Sequence, residues 1–306
     1  MYDNDSKGIS FTAGFFMLIA FTIAGIFVAS IISIPVWTGM TGTPLAEMDK
    51  GLSNPANSNV AKVMQSIQAI FGFFIPALVT AALLNRKPLR LLGFSPGIKI
   101  SQAGLVVLIM VAALVVSSAL SYFNNIIPVP ASWKIQFDKW ESNYDEQVVA
   151  IIGLKNSGQY ILALIVMAFL PALCEETLFR GGLQNFLTRS TKTPWLSILI
   201  VSIIFSAVHF SFYGFLSRFF LGAILGFIYH YSGKIWLNIL AHFLNNAIAI
   251  TALYIYQLQG KPLREAIADN GGNYWGILLL PVVIILLLLF KRVSYGSVFL
   301  TKRSNN

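Results

Sequence analysis

The stretch Phe169-Leu-Pro-Ala-Leu-Cys-Glu-Glu-Thr-Leu-Phe-Arg180 decides how this chain is read. Two adjacent carboxylates, Glu175 and Glu176, sit near the end of an apolar run long enough to cross a bilayer. An ionised group in hydrocarbon costs roughly 2.5–3.5 kcal/mol on insertion scales, so such a residue is usually kept for a function. Of the 12 acids in the chain, these two alone fall inside apolar runs; the rest lie in loops or tails. Two of the 3 histidines, His209 and His242, are also embedded in apolar runs, whereas His230 lies at a span end beside Tyr231. His230 and Arg218 read as interfacial residues.

Composition agrees with that setting. Of the 306 residues 56% are hydrophobic and 11% charged, against about 25% charged in soluble proteins, and the mean hydropathy is +0.72. A soluble enzyme, a disordered chain and a disulfide scaffold are excluded, the last because Cys174 is the 1 cysteine. The net charge of +9 does not point to nucleic acid, because the bases flank apolar runs in short clusters.

A crossing needs about 20 apolar helical residues. Segments 11–34, 64–84, 103–123, 159–180, 194–213, 215–231, 235–256 and 274–290 meet that length. The expected fold is all-α, a polytopic membrane bundle of about eight helices, with Pro76 and Pro281 as kinks inside spans two and eight. Three units are expected: 1–158 with the first three spans, 159–256 as the catalytic core, and 257–306 with the last span and tail. Arg86, Lys87, Arg90 and Lys99, then Arg189 and Lys192, Lys234, and Lys291, Arg292, Lys302 and Arg303 all fall on one side with the N-terminus. That side is expected to be cytoplasmic, with both termini there, in a multi-pass cell membrane protein. The N-terminal run is too long for a cleaved signal, and Asp3 and Asp5 precede it. Residues 133–155 read as an amphipathic interfacial helix and 36–60 as an irregular external loop.

Helical geometry relates the polar residues. Arg180, four residues after Glu176, shares its face in the favoured acid-before-base order. Glu175 diverges from Glu176 by about 100° and must face another neighbour. Glu175 and His209 stand equally far from the turn near Lys192, so an antiparallel hairpin brings them to one height. His242 and Asn246 are one turn apart on span seven, and Gly222, Ala223 and Gly226 permit close packing of span six. A carboxylate and three hydrogen-bonding groups suit water-mediated amide hydrolysis. Glu175 would deprotonate the water, His209 would orient it or shuttle the proton, and His242 and Asn246 would hold the oxyanion, a contribution of roughly 3–4 kcal/mol per donor. The alternative is zinc held by Glu175, His209 and His242; no His-Glu-x-x-His helix enforces it, so no metal or other cofactor is expected. Phe205, one turn before His209, reads as core packing or as a wall of the pocket. Cys174 reads as a small buried hydrophobe, and no Gly-x-Ser-x-Gly element is present. The rival readings are a transporter or channel using Glu175 as proton relay, and a catalytically silent immunity or interaction protein.

The order Glu175-Glu176-x-x-x-Arg180, Phe205-x-x-x-His209, His242-x-x-x-Asn246 resembles the three motifs of the CAAX protease and bacteriocin-processing family, also called the Abi family. Gly222-x-x-x-Gly226 and Ser232-Gly233-Lys234-Ile235-Trp236 are similar to its pattern too, with Lys234 where a small polar residue is common. The similarity covers about residues 160–255. It implies an intramembrane endopeptidase acting on membrane-associated peptides or lipidated proteins; the prenyl-processing branch removes the last three residues of a CAAX protein. By resemblance Glu175 is the base, His209 its partner, His242 and Asn246 the oxyanion site, and Glu176 with Arg180 the support of the first motif. The resemblance leaves the metal open. Membrane lipid and a peptide substrate are the expected partners.

Overall fold

The computed structural model describes residues 5–154, 156–261, 263 and 273–303. Expectations that concern Asp3, Lys155, loop residues 264–272 and the side chains of Lys302 and Arg303 fall outside the described residues. Among the described residues the chain is a helical membrane bundle without a strand; Ser6 and Asn85 form an isolated bridge. Among the described residues six helices are long and apolar enough to cross a membrane: Phe11–Thr41 (α1), Pro55–Leu84 (α2), Ile100–Asn125 (α3), Ser157–Thr191 (α5), Ile235–Leu258 (α8) and Tyr274–Tyr295 (α9). Ala131–Ile152 (α4) is the expected amphipathic helix. The two remaining expected spans are Pro194–Ala207 (α6), apolar but only 14 residues, and Phe215–Ser232 (α7), 18 residues with Arg218 and His230 near its ends. The expected irregular loop 36–60 is largely helical, because α1 runs on through Pro35 to Thr41 and short helical turns follow.

Prolines shape two of the spans. Pro76 and Pro171 are preceded by π-helical segments, Ile70–Phe74 in α2 and Leu164–Phe169 in α5. A proline has no N–H for the carbonyl four residues earlier, Gly72 or Met167, so the ladder widens around that carbonyl. Pro281 does not kink a span interior: it is the second residue of the α-helical part of α9, after a 3₁₀ entry over Tyr274–Leu279. Helix α5 ends at Lys192, held left-handed at φ 60, so residues 181–191 carry it past the crossing.

Two apolar clusters flank the centre. Leu18 of α1, Ala77 and Ala81 of α2, Phe179 and Phe186 of α5 and Val201 of α6 form one. Ile109 and Val116 of α3, Ile224 and Ile228 of α7, Leu237 of α8 and Phe290 of α9 form the other. The outward faces of α1 and α9 carry Phe16, Ile23, Phe27, Ile284 and Leu288 exposed, an apolar surface suited to lipid.

Close backbone approach holds α1 on α2. A Cβ on Gly25 would collide with the Phe71 carbonyl inside the π segment. Backbone cannot move aside as a side chain can, so Gly25→Ala should destabilise the bundle by about 1–3 kcal/mol. A denaturant titration in detergent micelles measures this, and an unchanged midpoint would show that the helices separate freely there.

Candidate active site

Glu176 lies at the centre of a buried network. Its Oε1 accepts from Arg180 Nη1 at 2.7 Å and from His242 Nδ1 at 2.8 Å. Its Oε2 accepts from Asn238 Nδ2 at 3.3 Å, and Asn238 also donates to the Leu225 carbonyl at 2.7 Å. Arg180 Nη2 reaches the Gly222 carbonyl at 3.1 Å, and its guanidinium lies over the Phe205 ring, 4.6 Å from the centroid. Glu176 is 0% exposed and Arg180 1%. Burying ions is costly unless they are paired and hydrogen-bonded, and this pair is both. Gly222 admits the contact: a Cβ there would meet Phe205 Cδ1 and Ser202 Cβ at 3.3 Å, so a bulkier residue would push α7 from α6.

The network sets His242. Glu176 accepts from Nδ1, so Nδ1 carries a proton and Nε2 faces the other way, 4.0 Å from Glu175 Oε2. The partner of Glu175 within that distance is thus His242. The hairpin argument had aimed Glu175 at His209, but α6 ends at Ala207 and leaves His209 in a turn. There His209 Nδ1 donates to the Phe205 carbonyl at 2.7 Å. Both imidazoles border Phe205, with ring centroids 5.2 Å away for His209 and 5.9 Å for His242. Phe205 therefore walls a space that both imidazoles border. Asn246 is half-buried one turn beyond His242, and its Oδ1 accepts from Asn245 Nδ2 at 2.9 Å, which directs its own Nδ2 elsewhere.

Sequence reasoning missed Asn238. Its signal was present: Asn238, His242 and Asn246 recur every four residues on one face of α8.

The turn carrying His209 is braced from outside. Phe210 is held left-handed at φ 49, a conformation that costs a non-glycine residue of order 1 kcal/mol or more unless its surroundings enforce it. Helix α4 supplies those surroundings. Phe137 stacks on Phe212 at 4.2 Å, Trp140 meets Phe210 edge-on at 6.2 Å, and Ser211 donates to Glu141 at 2.8 Å. Asp138 accepts from Lys134 and from Tyr213, and these hydrogen bonds hold its carboxyl below the usual aspartate value.

As for a metal, among the described residues no three or more His, Cys, Asp or Glu side chains are gathered so as to hold an ion. His242 Nδ1 and His209 Nδ1 are both committed to protein oxygens. Nε2 of each imidazole is therefore the nitrogen left to face a substrate, a water or an ion.

Residues 157–248 match the family model described as type II CAAX prenyl endopeptidase Rce1-like. The match spans about a third of the chain. The match runs from the start of α5 into α8 and contains Glu175, Glu176, Arg180, His209, His242 and Asn246. No curated protein and no solved structure matches the chain. The protein is an integral membrane protein whose residues 157–248 are similar to that family.

Proposed function

We propose that the protein is an intramembrane endopeptidase that hydrolyses a peptide bond of a membrane-associated or lipidated protein, with a water activated by Glu175. The observation that carries this reading is the buried network that holds His242 Nε2 at 4.0 Å from the Glu175 carboxylate. A water between two such atoms hydrogen-bonds both. Glu175 takes its proton as the water oxygen bonds to the carbonyl carbon and the carbonyl electron pair moves to oxygen. His209 Nε2, free of the Phe205 contact, orients the water. Protonated His242, its charge balanced by Glu176, and Asn246 Nδ2 donate to the oxyanion. Collapse breaks the C–N bond, and the proton on Glu175 passes to the leaving nitrogen. Glu176, Arg180 and Asn238 are positioning residues that act through His242.

The mechanism needs no metal. Purified protein presented with a library of apolar peptides in micelles is expected to cleave a subset, and cleavage is expected to persist after exhaustive chelation. Stoichiometric metal whose removal stops turnover would overturn the metal-free route. An inert wild-type protein across the library would favour the silent interaction protein instead.

A further inference from the structure

Two arginines border the candidate site, and they differ in what answers their charge. Arg180 is paired with Glu176 at 2.7 Å. Arg218, on α7, has no such partner. Among the described residues its guanidinium makes neither an ion pair nor a hydrogen bond, and Nη1 is enclosed without an acceptor. Its charge rests on an aromatic face instead: the guanidinium carbon lies over the Tyr144 ring of α4, 4.9 Å from the centroid. That contact attracts the cation but leaves its N–H donors unused. An enclosed donor without an acceptor is rare in folded proteins and calls for a reason. The sequence reading of Arg218 as an interfacial residue supplies none.

A chain of contacts places Arg218 at the site. It stands one turn from Gly222 on α7, whose carbonyl accepts from Arg180 Nη2 at 3.1 Å. Arg218 thus continues, toward the start of α7, the face that meets the Glu176–Arg180 pair. Its own N–H donates to the Gly214 carbonyl at 3.0 Å, and its side chain folds back over the same glycine, where a Cβ would collide with Nη1. The Gly214 N–H donates to Ser211 Oγ at 3.1 Å, two residues after His209. The Arg218 charge therefore acts on the His209 imidazole. Glu141 of α4 reaches the same turn, but its Oε2 accepts from Ser211 at 2.8 Å and it forms no ion pair with Arg218.

A guanidinium cannot shed its charge by losing a proton, and its planar fork matches a carboxylate through two parallel N–H···O bonds. Arg218 as a whole is half-buried, so an acceptor can approach the fork, while the enclosure of Nη1 strengthens any bond made there. We propose that Arg218 is a substrate-binding residue that takes a carboxylate of the polypeptide being cleaved, either its terminal carboxylate or an acidic side chain near the scissile bond. That the anion belongs to a substrate rests on the peptidase reading; that an anion binds rests on the unpartnered guanidinium alone.

One library peptide cleaved in neutral micelles is made with a free C-terminal carboxylate, with a C-terminal amide, and as the amide carrying Glu or Gln beside the scissile bond. The carboxylate form is expected to exceed its neutral counterpart in kcat/KM by about 10–100-fold, the usual worth of a hydrogen bond to a charged group. Acid over amide identifies the terminus, and Glu over Gln the side chain. In Arg218→Gln the ratio is expected to fall to near one. The ratio isolates the carboxylate, because any change at His209 or in folding acts on all the peptides alike. Gly214→Ala keeps the charge but displaces the guanidinium from its seat, and should lower the ratio too. Equal wild-type rates for acid and amide and for Glu and Gln, or a ratio that survives in Arg218→Gln, would overturn the carboxylate site and leave the peptidase intact. If no library peptide is cleaved, the peptidase reading falls and binding decides the anion site. Acid and amide peptides, and Glu and Gln peptides, each with a fluorophore at the N-terminus, are then titrated into wild type and Arg218→Gln. Tighter binding of a carboxylate form that disappears in the variant upholds the site, and equal affinities overturn it.

Discussion

Glu175→Gln is expected to lower kcat for peptide hydrolysis by about 10²–10⁴-fold, the range that a positioned general base contributes. The substitution keeps size and hydrogen-bonding shape, so α5 packs as before and His242 remains held by Glu176. What is lost is the ability to take a proton from water. KM should move little, because Glu175 acts on the water and not on the remote parts of the substrate. The micellar peptide assay gives both constants, and an SDS titration of the same preparation checks that the bundle is unchanged. A variant turning over at the wild-type rate would remove Glu175 from the mechanism.

Arg180→Ala should have the largest effect on stability, about 3–5 kcal/mol, the usual cost of leaving one partner of a buried ion pair alone. Glu176 has no route to water, and its remaining donors, His242 and Asn238, are not a permanent charge. The variant also loses the bond to the Gly222 carbonyl and the contact with the Phe205 ring. An SDS titration reads the shift. The double variant Glu176→Gln with Arg180→Met removes both charges at similar volume and should recover most of the loss, yet stay inactive because His242 no longer has its anionic partner. A cost below about 1 kcal/mol for Arg180→Ala would show that Glu176 is solvated or neutral there.

The helical bundle and the Glu176–Arg180 pair were legible because they depend on short-range rules: apolar length, and a face repeated every four residues. The hairpin argument placed Glu175 and His209 at comparable depth but chose the wrong partner for Glu175. Depth follows from counting residues, whereas the facing neighbour depends on helix rotation. The π segments before Pro171 and over Thr177–Gln184 change that rotation on both sides of Glu175. The early end of α6 also moves His209 from a helix to a turn. For α4, the alternation of aromatic and charged residues announced an interfacial helix, but nothing in residues 133–155 says that it seats on Phe210 and Phe212. That contact joins positions about 70 residues apart and becomes visible only in three dimensions.

Cys174, beside the proposed base, has a practical consequence. It is fully enclosed and forms no disulfide. Thiol-directed spin labels, fluorophores or crosslinkers introduced at the surface would therefore report on their own positions in the native sequence background, with no need to disturb a residue that touches the reacting group.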